Sequence, residues 1–128
     1  MSSKQVGIAG EKIAENFLKN KGYKILDRNY IPKFISGPQR GEIDIVAKKD
    51  DVIVFMEVKA VASAEGDRAY PEDKVNFSKQ RKIIKAAESW ILEKKISFEQ
   101  KWQIDVISII INPETKKANL RHLKNAVF

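Results

Sequence analysis

The chain contains no cysteine, which excludes both a disulfide framework and a thiolate metal centre. Its single histidine, His122, leaves no His-rich metal site, and no Ser/His/Asp or Cys/His triad can be assembled around it. Apolar runs are short, and none approaches the roughly 20 residues that a membrane span needs. The N-terminal segment mixes Lys4, Lys12 and Lys19 with Glu11 and Glu15, where a signal peptide would hold an uninterrupted apolar core. A P-loop, a GxGxxG fingerprint, internal repeats and low-complexity tracts are also missing. ATP-driven and redox chemistry therefore have no support, and the expectation is a soluble, cytoplasmic protein without membrane contact.

What is present is charge, unevenly divided. Lys and Arg number 24 against 17 Asp and Glu, for a net charge of +7 and a pI near 9.6. An excess of that sign suits a polyanion, because nucleic-acid affinity rests largely on Lys and Arg neutralising phosphates. With 128 residues and 43% hydrophobic content, the chain can bury one sizeable core, and one domain over residues 1–128 is expected.

Periodicity predicts the elements. Gly10 to Lys21 reads as an amphipathic helix with Ile13, Ala14, Phe17 and Leu18 on one stripe, Glu11 in its first turn and Gly22 as its stop. Tyr23 to Tyr30 reads as a strand, followed by a loop with Pro32, Gly37 and Pro38. In that loop Phe34 and Ile35 lie between Lys33 and Arg40, an alternation of apolar and basic groups that either meets sugar-phosphate and unstacked bases or anchors the loop to the core; anchoring is the expected role of Phe34. A long helix is expected from Glu72 or Asp73 to Lys95, entered near Pro71, with Ile83, Ile84, Ala87, Trp90 and Ile91 buried. Its first half is basic through Lys74, Lys79, Arg81, Lys82 and Lys85. A strand from Lys101 to Ile111, a turn at Asn112 to Lys116 and a strand from Ala118 to Leu123 close the chain. Asp105 interrupts the apolar run of that penultimate strand and needs a buried backbone or Arg partner.

The most informative stretch is GEIDIVAKKDDVIVFMEVK, residues 41–59. Ile43 to Ala47 and Val52 to Lys59 are rich in strand-forming residues, with a polar turn at Lys48 to Asp51, so the segment predicts a β-hairpin. A turn centred near Asp50 sets Asp44 opposite residue 56 or 57, and alternation puts Glu57 and Lys59 on one face. Two carboxylates about 5 Å apart repel by roughly 3 kcal/mol at an effective dielectric near 20. Protonation or a bound cation relieves that repulsion. Carboxylate oxygens favour hard divalent ions, so Asp44, Glu57 and a cofactor such as Mg2+ (or Mn2+), with Lys59 beside them, form the equipment of phosphodiester hydrolysis. The plainer alternative is an exposed Glu57–Lys59 ion pair with Asp44 solvated. The VIVFMEV run, apolar on both faces, argues instead for an interior strand.

At these positions the chain resembles the D…(D/E)xK signature of restriction-endonuclease-like nucleases, with Asp44, Glu57 and Lys59 as first acid, second acid and lysine. Gly10-Glu11, Gly22-Tyr23, Arg28-Asn29, GEID, MEVK, the Gly66…Pro71…Lys79 stretch and IDVI, in that order, resemble the small bacterial YraN-like uncharacterised family over nearly the whole chain. That family is related by fold to the archaeal Holliday junction resolvases. The resemblance implies an α/β fold, a restriction-endonuclease-like αβββαβ core with a mixed central sheet flanked by helices. It also implies Glu11 as a helix glutamate reaching the metal site, with Glu15 able to share that role, and Lys79 and Gln80 as polar residues facing a phosphate. Related resolvases act as dimers, so a homodimer stays open. The chain departs from the family pattern at Ala60 and Val61, where Thr or Ser and then Arg are usual, and at Gln103, where Arg is usual.

The leading expectation is a metal-dependent endonuclease acting on DNA, with branched DNA as one substrate. Asp44, Glu57 and Glu11 hold the metal, Lys59 orients the attacking water, and Arg40, Lys74, Lys79, Gln80 and Lys82 meet the nucleic acid. The alternatives are a non-catalytic nucleic-acid-binding module that keeps the nuclease fold, and a domain whose basic face meets an acidic protein.

Overall fold

The computed structural model describes residues 1–64 and 77–127, with the side chains of Gln39 and Val127 left aside. Helix α1 spans Ser3–Asn20. It begins well before the expected Gly10 because Ser2 and Gln5 form a capping box: the Ser2 hydroxyl accepts from the Gln5 N–H at 3.2 Å, and the Gln5 side chain accepts from the Ser2 N–H at 2.8 Å. Glu11 is therefore a mid-helix residue, and the helix dipole gives it no support there.

Strands β1 (Lys24–Tyr30), β2 (Ile43–Lys49) and β3 (Val52–Ala62) run as an antiparallel meander. The segment between β1 and β2 carries a 3-10 turn at Gly37–Gln39. Helix α2 (Phe77–Glu93) then leads to β4 (Lys101–Ile111), which pairs parallel to β3, and β5 (Ala118–Val127) returns antiparallel to β4. The sheet order is β1-β2-β3-β4-β5, a mixed sheet with a helix on each face. The order αβββαβ is the expected restriction-endonuclease-like one, with β5 as an added edge. Glu72 and Asp73, the expected start of α2, lie outside the described residues. Its end comes at Glu93 rather than Lys95, which adopts φ 54° just after the helix and breaks it.

Alternation along the strands divides the core in two. On the α1 face, Ala14 and Leu18 pack against Ile45, Met56, Ile107 and Ile109. On the α2 face, Ile83, Ala87 and Trp90 pack against Val46, Phe55 and Val106. Trp90 is buried as expected; its ring meets Phe55 edge-on at 5.6 Å, and its Nε1 donates to Asp27 Oδ2 at 3.0 Å. A bulge between Ile25 and Asp27 in β1 accompanies that contact, placing Asp27 with Trp90 on the α2 side while Arg28 binds Glu15 of α1.

Asp105, fully buried, finds neither an Arg nor solvent. Its carboxylate takes His122 Nε2 at 2.7 Å, Gln103 Nε2 at 2.9 Å and the Asn125 N–H at 2.8 Å. A register shift between Ile104 and Val106 admits the last of these, and β5 extends past the expected Leu123 to Val127. Among the described residues, no helix is long and apolar enough to cross a membrane.

Gly10 is a point of close approach between α1 and the sheet. A Cβ there would stand 2.5 Å from the Ala60 Cβ of β3, so only glycine allows this approach. Gly10→Ala should destabilise the protein by about 1–3 kcal/mol through overpacking, read as a lower urea midpoint with an unchanged slope.

Candidate functional site

The site starts from a turn. Asp50 and Asp51 both adopt left-handed backbone (φ 51° and 64°), the two-residue arrangement that matches the twist of a hairpin. Lys48 and Lys49, expected in the turn, continue β2 and pair with Ile53 and Val52. The register runs to Ile45 opposite Met56, and one step further sets Asp44 opposite Glu57. There the Val58 N–H donates to Asp44 Oδ2 at 2.7 Å, so a side-chain oxygen carries the strand contact at the open end of the ladder.

Asp44 is half-buried there, and the electrostatics follow. Loss of water pushes the Asp44 carboxyl up to about 6; the Val58 N–H opposes the shift, while Glu11, Glu57 and Glu42 add to it. Glu11 is also raised, first by burial and then by Glu42. Glu57 has a side chain only 12% exposed, and its Oε1 forms an ion pair with Lys79 of α2. Its Oε2 is buried without a hydrogen-bond partner.

Two hollows meet at Asp44. An open cleft of about 460 Å3 lies between Asp44, Glu57, Arg40, Glu42, Lys79 and Lys82. A smaller one of about 220 Å3 shares Asp44 and brings in Glu11, Glu15, Arg28 and Asn29. Asp44 is thus a common wall, with Glu57 and the basic start of α2 on one side and Glu11 of α1 on the other. Gly41 shapes the larger cleft, since a Cβ there would stand 2.6 Å from the Lys82 carbonyl oxygen. Its bare backbone lets the loop rest on α2 and holds Arg40 and Glu42 at the rim.

Lys59 stands two residues beyond Glu57 on the same strand, half-buried. Gln80 is half-buried beside Lys79 but is not among the residues lining the cleft. Lys74 lies outside the described residues. Glu15 lines the smaller hollow with Glu11 but is engaged in ion pairs: Arg28 Nε donates to it at 2.9 Å, Lys19 pairs with it at 3.1 Å, and its carboxyl is held down at about 2, mainly by the Arg28 bond. Glu42 is a rim acid that periodicity did not single out; its signal was the GEID motif, where it immediately precedes the strand.

The departures from the family pattern at Ala60, Val61 and Gln103 fall away from the cleft. Ala60 packs toward Gly10 on the α1 face, and Gln103 donates to Asp105 in the pair with His122. Neither lines the space between Asp44 and Glu57.

Comparison with known proteins places the whole chain. The profile of the uncharacterised protein family UPF0102 matches residues 10–109. The chain belongs to this family. A UPF0102 protein of Dictyoglomus turgidum is 36% identical over 98% of this chain and 99% of its own length. One of Clostridium tetani is 42% identical over 97% of this chain and 94% of its own. UPF0102 membership agrees with the YraN-like resemblance in the motifs. Among solved structures, the chain is similar to SfsA of Pyrococcus furiosus, determined in complex with Ca2+, with 18% identity and a TM-score of 0.41. That match covers 99% of this chain and 65% of SfsA.

The raised Asp44 carboxyl has a consequence for stability in this UPF0102 protein. The fold binds the Asp44 proton more tightly than the unfolded chain does, so ionisation works against folding; the loss sets in above pH 4 and is complete above about 6. In metal-free buffer Asp44→Asn should therefore raise stability at pH 7.5 by roughly 2 kcal/mol and leave it nearly unchanged at pH 3.5. Urea unfolding at the two pH values measures the difference.

Proposed function

We propose that this UPF0102 protein is a metal-dependent nuclease that hydrolyses DNA phosphodiesters, with branched DNA among its substrates. The observation that carries the reading is the Asp44–Glu57 pair at the head of a cleft whose rim holds Arg40, Lys79 and Lys82.

The donor set fits a hard divalent ion. Val58 occupies one oxygen of Asp44, leaving Oδ1, and Glu57 Oε2 is buried with no partner. Mg2+ typically takes one or two protein carboxylates and completes its shell with water and phosphate oxygens. A bound Mg2+ or Mn2+ supplies Lewis acidity toward phosphate and makes water nucleophilic at neutral pH. Asp44 and Glu57 are the residues to hold it, and Glu11 supports Asp44 from the α1 side. Lys79 and Lys82, with Arg40 across the cleft, hold the phosphate backbone, with Gln80 beside Lys79. Lys59 orients the attacking water. Two copies acting together would suit the paired strands of a branched substrate, and the cytoplasm is the natural setting for such an activity.

A second reading has its own observation. Among the described residues, no three His, Cys, Asp or Glu side chains converge on one point, and Lys79 already holds Glu57 Oε1. That arrangement favours a non-catalytic module that binds nucleic acid through the same basic rim.

Labelled duplex, branched and single-stranded DNA incubated with Mg2+ or Mn2+ separates the two. The nuclease reading expects cleavage that falls by about a hundredfold or more in Asp44→Ala and Lys59→Ala, with Mn2+ binding lost in the former by calorimetry. Wild-type protein that neither cuts nor binds metal, yet keeps salt-dependent DNA binding after Asp44→Ala and Glu57→Ala, is the module instead.

A further inference from the structure

Phe34 does not anchor its loop. Its side chain is 90% exposed, and it stands at the edge of a second groove of about 460 Å3 along the outer face of α2. Ile35 and Leu92 complete an apolar lining, and Leu92 is itself 67% exposed. The mouth carries Lys85, and the wall carries Ser89, Glu88 and Glu93. A large aromatic held in water beside other apolar groups is the kind of surface that marks a binding site.

The groove and the Asp44–Glu57 cleft are built on the same two segments. One loop, from Lys33 to Glu42, and one helix, α2, supply walls to both. Lys82 lines the cleft and Ser89 the groove; at 1.5 Å per residue they are separated by about 10 Å along the helix. That is the length of about three stacked nucleotides at 3.4 Å each. Lys79, Lys82 and Lys85 mark a basic path between the two.

The chemistry of the groove selects the part of a strand that enters. Glu88 and Glu93 repel phosphate, so the backbone stays on the lysine side. An exposed Phe ring over an apolar floor accepts the face of a base, and base–aromatic stacking is a strong, sequence-tolerant contact. The Glu88 and Glu93 carboxylates on the groove lining are acceptors for which base amino groups are donors. A paired base in a continuous duplex offers no free face.

We propose that the Phe34 groove binds an unpaired nucleobase, so that the protein prefers DNA in which a duplex gives way to a single strand. The proposal rests on the nuclease reading for the path of the strand and adds the feature of the substrate that is read. Phe34 is the specificity determinant; it lies outside the acid cleft and takes no part in bond breaking.

The test is fluorescence anisotropy in magnesium-free buffer, with a labelled blunt duplex and the same duplex carrying a single-stranded tail that contains 2-aminopurine. Wild type should bind the tailed duplex about tenfold more tightly and quench the 2-aminopurine. Phe34→Ala should abolish both the preference and the quenching while blunt-duplex affinity and melting temperature stay unchanged; Phe34→Trp should keep them. Lys82→Ala should weaken both substrates alike. A Phe34→Ala variant that weakens both equally, or neither, overturns the proposal. So does a variant whose only change is weaker self-association in sedimentation, which would give the groove to a second copy of the chain. Tail preference in a protein that never cuts DNA would refute the nuclease reading and leave this one standing, whereas a wild type with no DNA affinity refutes both.

Discussion

Everything at the Asp44–Glu57 cleft depends on the register of one hairpin. Side chains alternate with a period of two, so a slip of one residue between β2 and β3 would turn the buried set of one strand toward the wrong helix. Two left-handed aspartates fix that register at the turn, and the apolar side chains of both strands hold it, because each face has a helix to cover it. The same register carries the two acids to the end of the ladder. Strand pairing stops there, and the Val58 N–H turns to a carboxylate oxygen. Backbone geometry and site electrostatics are therefore set by one constraint.

Its cost is visible in the charges. Asp44 is half-buried near Glu11, Glu42 and Glu57, and loss of water together with those charges raises its carboxyl. The chain meets this excess with cations from elsewhere in the sequence: Lys79 pairs with Glu57, while Arg40 and Lys82 face the same space. Glu15 shows the contrasting solution, a carboxylate on the same helix as Glu11 held ionised by Arg28 and Lys19. The two glutamates are one helical turn apart, and their neighbours make them chemically different.

Much of this was legible in the sequence, for reasons that differ by element. β3 and β4 were read from runs of β-branched residues, whose burial on both faces leaves no competing pattern. Asp44 was placed opposite residue 56 or 57 by counting from the turn, a count that works when the loop is short. α1 began earlier than its apolar stripe because the Ser2–Gln5 box, not hydrophobicity, sets its start. Phe34 was expected to anchor its loop to the core, and residue type says nothing about whether a loop residue has a neighbour to pack on. The pairings of Asp105 with His122 and of Trp90 with Asp27 depend on strand bulges. A bulge shifts a side chain by a position that local sequence does not announce, so such long-range polar contacts emerge only with the tertiary structure.

The parallel pairing of β3 with β4 gives the order of synthesis a meaning. Glu11, Asp44 and Glu57 all belong to α1 and the antiparallel meander, which the ribosome releases first. Lys79 and Lys82 arrive with the crossover helix, and α2 is fastened in place by the strand that follows it. The acids and the lysines that answer them therefore come from two different parts of the chain. Charge balance in the cleft thus depends on the parallel crossover that brings α2 back over the sheet, so the topology of the fold is also what places cations opposite the acids.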